Sequence, residues 1–138
     1  MHKRLLIFLS VAAAMFFVSQ AHAQLIIANP SVKASEASKS DLKDIFTGAS
    51  SSLGGTHVTP VLLKSGAAND EFLAGYIGKS DAAFMASWRS LVFSGQATMP
   101  KSLESDAAVV EYVAKTPGAI GYIGKSSPHE GTKVLAGK

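Results

Sequence analysis

Three times in this sequence a Ser-Asp pair stands ahead of apolar residues at helical spacing: Ser40-Asp41, Ser80-Asp81 and Ser105-Asp106. A serine hydroxyl accepts hydrogen bonds from first-turn N–H groups, and an aspartate complements the positive end of the helix dipole, so each pair marks a helix start. The stripes that follow are Leu42, Ile45 and Phe46; Phe84, Met85, Trp88, Leu91 and Val92; and Val109, Val110 and Val113. A fourth stripe, Phe72, Leu73, Tyr76 and Ile77, ends at Gly78. Between the stripes lie apolar runs too short for helices: residues 25–28 closed by Asn29-Pro30, residues 58–63, residues 119–123 after Thr116-Pro117-Gly118, and residues 132–135. These read as strands. Pro60 puts its strand at a sheet edge or restricts the proline to the strand's first part. Residues 49–56, rich in Ser and Gly, read as a loop. Strands alternating with helices define an α/β domain with mostly crossover connections.

The amino end has a different character. His2, Lys3 and Arg4 precede an apolar stretch over residues 5–18, and Ala21 and Ala23 stand three and one positions before Gln24. A positive n-region, an h-region and an A-x-A site make a secretory signal peptide over residues 1–23. The apolar stretch is short of the roughly 20 residues that a spanning helix needs. Its removal leaves 115 of 138 residues, a single domain over 24–138 that is large enough for a core. Loss of Lys3 and Arg4 takes the 13 basic residues to 11 against 10 acidic ones. Near-neutrality removes the support for a nucleic-acid partner or a polybasic membrane contact. The chain has no cysteine, which excludes disulfides, zinc-thiolate sites and a thiol nucleophile. The expected product is a soluble periplasmic or secreted protein.

Two segments, residues 42–48 (LKDIFTG) and residues 116–123 (TPGAIGYI), flank residues 58–66 (VTPVLLKSG). In this order and spacing they resemble the phosphate-binding substrate-binding proteins of ABC transporters, which have the type II periplasmic-binding-protein fold. The resemblance spans about residues 25–125 and corresponds to the second lobe, as in short one-lobe relatives. It implies a mixed sheet flanked by about four helices. On turn chemistry alone, Pro117-Gly118 is a turn in which glycine takes positive φ, and Gly121 lets a strand pack closely under a helix.

Chemistry is concentrated at the strand-to-helix junction over residues 64–69. Lys64 offers a point charge, Ser65 a hydroxyl, Gly66 close backbone approach and Asn69 an amide donor, beside the free N–H groups of a helix start. Without the resemblance, Ser65-Gly66 is an ordinary capped turn. With it, the same junction carries part of a phosphate site, typically an Arg and Asp ahead of Gly-Ser-Gly-Thr; here Ala67 and Ala68 replace hydroxyl and glycine, and Asn69 replaces Thr. Three or four charge-assisted hydrogen bonds of about 1.5–3 kcal/mol each offset an association cost of about 4–15 kcal/mol, so one lobe binds phosphate at about millimolar or weaker. His57 and His129 lie in no metal spacing, and no G-x-S-x-G, H-E-x-x-H or Walker loop is present. No catalytic residue, metal site or cofactor is therefore assigned. Two functions remain: a module binding phosphate or a similar oxyanion, linked to a membrane transporter, or a protein-interaction or sensory module that keeps the fold without the ligand. A sensor protein or self-association would supply the partner in the second case.

Overall fold

The computed structural model describes residues 24–64 and 66–137. The signal peptide assigned to residues 1–23, and Ser65, lie outside the described residues. Strand β1 (Gln24–Ala28) is followed by helix α1 (Lys39–Phe46), the two-residue strands β2 (Ser52–Leu53) and β3 (Thr56–His57), and strand β4 (Thr59–Leu63). Helix α2 (Ala67–Phe72) runs on through a π-helical turn (Leu73–Ile77) to α3 (Asp81–Phe93). Strand β5 (Lys101–Leu103), helix α4 (Asp106–Lys115), strand β6 (Ala119–Gly124) and strand β7 (Lys133–Ala136) complete the order.

The five-stranded sheet has the order β5-β4-β6-β1-β7. Strand β4 is parallel to both β5 and β6, whereas β1 is antiparallel to both β6 and β7. The sheet is therefore mixed, and it is covered on both faces. Gly121 on β6 has no side chain because a Cβ there would lie 2.9 Å from Val109 of α4 and from Val61. On the other face Tyr122 stacks on Phe72 at 3.7 Å and meets the edge of Phe46 at 5.7 Å, which brings α2 and α1 against the sheet. Helix α3 joins this side through Trp88, whose indole N–H donates to the Phe46 carbonyl at 2.9 Å. Strands enclosed in this way read as continuous apolar runs, as β1 and β6 do.

Several local expectations need correction. Helix α1 is capped by Ser38 rather than Ser40, because Asp41 then falls at N3, where its N–H donates to the Ser38 hydroxyl and its carboxylate accepts from the Ser38 N–H. The Ser-rich loop contains the β2-β3 hairpin, turned by Gly54 and Gly55 with φ of 57° and 84°. Of the two places expected for Pro60, the structure has the second: β4 is interior, and the proline sits in its first part, before β5 pairs with it from Val61 onward. Strand β7 begins at Lys133, one residue later than expected, and β5 was not expected at all. Val92 is exposed rather than part of the core. The turn before β6 is as expected: Gly118 has φ 78°, and a Cβ there would lie 2.8 Å from the His57 carbonyl oxygen.

Candidate anion site at the β4–α2 junction

The parallel strands β5, β4 and β6 deliver their carboxyl ends to one edge of the sheet. Ligand sites in open α/β sheets lie outside such ends. Lys64 leaves β4 here. Its N–H donates to the Leu103 carbonyl at 2.9 Å, while its Nζ donates to Glu104 Oε1 at 2.6 Å. Both side chains of this ion pair are exposed. Hydrogen bonding to Lys64, reinforced by its charge, holds the Glu104 carboxyl below its usual range.

Gly66 is the N-cap of α2, and no side chain caps that end. The first helical hydrogen bond runs from the Asp70 N–H to the Gly66 carbonyl at 2.9 Å, so the N–H groups of Ala67, Ala68 and Asn69 have no intrahelical acceptor. The Asn69 side chain behaves differently from the ligand-facing amide expected of it. It is buried, its Oδ1 accepts from the Tyr122 hydroxyl at 2.6 Å, and its Nδ2 donates to Asp81 Oδ1 at 2.9 Å. The physical reason lies in Tyr122, whose enclosed phenol needs an acceptor while itself accepting from the Leu63 N–H at 3.0 Å. Burial raises the Tyr122 pKa far above its ordinary value, and the nearby Asp81 charge adds to the rise. The phenol is therefore a permanent donor.

Lys64, Gly66 and Asn69 thus share one corner, but only Lys64 and the backbone of the junction face outward. A cavity of about 290 Å³ beside them is lined by Lys64, Asn69, Asp81 and Ser102 over a floor of Leu62, Leu63, Phe84 and Met85. The sequence reasoning missed Glu104, Tyr122 and Asp81. Tyr122 carried a readable signal, since a tyrosine inside a fully apolar strand must find a hydrogen-bond partner within the fold. Among the described residues no cluster of three or more His, Cys, Asp or Glu side chains could hold a metal ion. No helix among them is long and apolar enough to cross a membrane.

No protein-family model and no curated protein matches the sequence. Solved structures do. A structure described as a phosphate ABC transporter substrate-binding protein from Clostridium perfringens, with bound phosphate, is similar with a TM-score of 0.60 at 16% identity, covering 82% of this chain and 44% of that one. An ABC-type phosphate transport receptor from Vibrio cholerae gives 0.54 at 14% identity, covering 82% of this chain and 45% of its own. PstS from Borrelia burgdorferi gives 0.54 at 20% identity, covering 83% and 46%. The chain spans under half the length of each of these proteins. With its five-stranded mixed sheet covered on both faces, the chain has the fold of one lobe of the periplasmic-binding-protein architecture found in phosphate-transport substrate-binding proteins.

Proposed function

We propose that this chain is an exported, non-catalytic solute-binding domain that takes phosphate or a similar oxyanion weakly at the β4–α2 junction and serves phosphate uptake. The observation that carries the reading is the end of α2, uncapped by any side chain and adjoining Lys64, in a fold shared with a protein that holds phosphate. An anion there would accept from the N–H groups of Ala67, Ala68 and Asn69, with Lys64 and Ser65 adding charge and a hydroxyl. The leader read at residues 1–23 supports a periplasmic or secreted location, and the names of the neighbours support a membrane transporter as partner.

The expected affinity is about millimolar, since a single lobe cannot enclose the ion and Glu104 already occupies the lysine. Titration of the labelled protein with inorganic phosphate should shift the amide resonances of residues 64–69 selectively. Lys64→Ala should weaken binding by about 0.5–2 kcal/mol through lost charge assistance, and added salt should weaken it in the parent protein. Absence of any localised shift at about 20 mM phosphate, well above the expected dissociation constant, would reject the reading and leave an interaction module that keeps only the fold.

A further inference from the structure

Cleavage of the leader read at residues 1–23 would leave Gln24 as the first residue, with a free α-amine. A glutamine in that position is reactive. The α-amine nitrogen bonds to the residue's own Cδ, the Cδ–Nε2 bond breaks, and ammonia departs with a proton taken from the amine. The product is pyroglutamate, whose lactam nitrogen carries no charge. Nothing is oxidised or reduced, and no co-reactant is needed. At a loose chain end only bond rotations separate the reacting atoms.

Gln24 is not at a loose end. It opens β1, which lies between β6 and β7, and it pairs with Gly124. The residue is 1% exposed, and Gly137 passes so close to its carbonyl that a Cβ would collide. Its side chain crosses to α2, where Nε2 donates to Glu71 Oε2 at 2.8 Å. A carboxylate only accepts, so the amide nitrogen must face it and the amide oxygen must face away. That oxygen, Gln24 Oε1, is among the described residues the one buried side-chain nitrogen or oxygen with no hydrogen-bond partner.

These contacts oppose ring closure in three ways. The amide must leave Glu71 and fold back over its own backbone nitrogen, in a strand enclosed by two neighbours. The oxygen that gathers negative charge in the tetrahedral intermediate receives no donor from the chain. The nitrogen that must take up a proton in order to leave donates to a carboxylate instead. We propose that the fold protects its own mature terminus: Glu71 pins the Gln24 amide against α2, so the folded protein keeps a free α-amine where the bare sequence would cyclise. This inference rests on the leader reading of residues 1–23. Because β1 is antiparallel to β6 and β6 is parallel to β4, the charge so retained stands on the same edge of the sheet as the β4–α2 junction.

Mass spectrometry of the purified exported protein should show an amino-terminal peptide that begins with intact Gln24 and has not lost the mass of one ammonia. On prolonged incubation at neutral pH, the folded protein should cyclise at least about tenfold more slowly than the same protein in guanidinium chloride. Glu71→Ala should raise the folded-state rate by about three- to tenfold, the scale of one lost hydrogen bond. Glu71→Gln, which keeps an acceptor for Nε2, should restore most of the protection. Glu71 is exposed, so both variants should stay folded, and the comparison of folded with unfolded parent needs neither. A mature chain that begins elsewhere than Gln24 would overturn the leader reading and this inference with it. A terminus that arrives as pyroglutamate, equal folded and unfolded rates, or a Glu71→Ala protein that cyclises no faster would overturn this inference alone.

Discussion

The two helices that follow the parallel strands β4 and β5 begin in opposite ways. At α4, Ser105 accepts from the Ala108 N–H at 3.1 Å, and the Asp106 carboxylate accepts from the Gly124 N–H at 2.9 Å and from the Ser127 hydroxyl. That junction is closed by the chain's own side chains. At α2 the N-cap is Gly66, no side chain returns to the first turn, and the polar side chain nearest it, Asn69, turns inward to Tyr122 and Asp81. The two junctions lie on adjacent strands and differ in where their hydrogen bonds go. Both first turns carry an aspartate, Asp106 in α4 and Asp70 in α2, but only α4 has a side-chain cap, so the first N–H groups of α2 are left to solvent or a ligand.

The largest effect that tests this contrast is expected at Asn69. Replacing it with alanine leaves the buried Tyr122 hydroxyl without an acceptor and removes a donor from Asp81, at a cost of about 2–4 kcal/mol in chemical denaturation. A loss below about 0.5 kcal/mol would show that α2 is held by its aromatic packing on Tyr122 alone. At the closed junction, Asp106→Ala should cost about 1–2 kcal/mol, because the Gly124 N–H and Ser127 hydroxyl lie only partly buried and water can replace the carboxylate. It would also remove the carboxylate from the first turn of α4 while leaving the Ser105 cap in place. If Asp106→Ala then bound phosphate as well as the β4–α2 junction does, the contrast between the two would lose its functional meaning.

How far these features were legible depends on whether a residue's role is local. The Ser-Asp starts at Ser80 and Ser105 were readable, since a cap involves only its own first turn. Gly118 and Gly121 were readable because a tight turn and a close strand-to-helix contact both demand a residue without a Cβ. Strand β5 was not, since Lys101, Ser102 and Leu103 form no apolar run and become a strand only by pairing with β4. The site was half visible for the same reason. Lys64 and Gly66 announce a junction, but the Glu104 that occupies the lysine is 40 residues away, and the Tyr122 that turns Asn69 inward is 53 residues away. Nothing in the local pattern around Asn69 distinguishes an amide facing a ligand from one serving a buried phenol.

The smallest expected effect separates the lysine from the backbone at the α2 start. Because Lys64 holds the Glu104 carboxyl below its usual range, the pair's contribution to stability is complete above the unfolded carboxylate value and is lost as pH falls through the lower folded value. At neutral pH, then, any anion at the junction competes with Glu104 for Lys64. Glu104→Gln should release the lysine and tighten phosphate binding by about two- to fivefold, the scale of an exposed ion pair, with little change in stability. The gain should vanish in about 0.5 M salt, where the Debye length falls below the width of the site. In Lys64→Ala the same Glu104→Gln change should have a smaller effect, since only the long-range repulsion between carboxylate and anion is then removed. An equal gain in both backgrounds would mean that Lys64 does not touch the ion, and that the free N–H groups of α2 hold it alone.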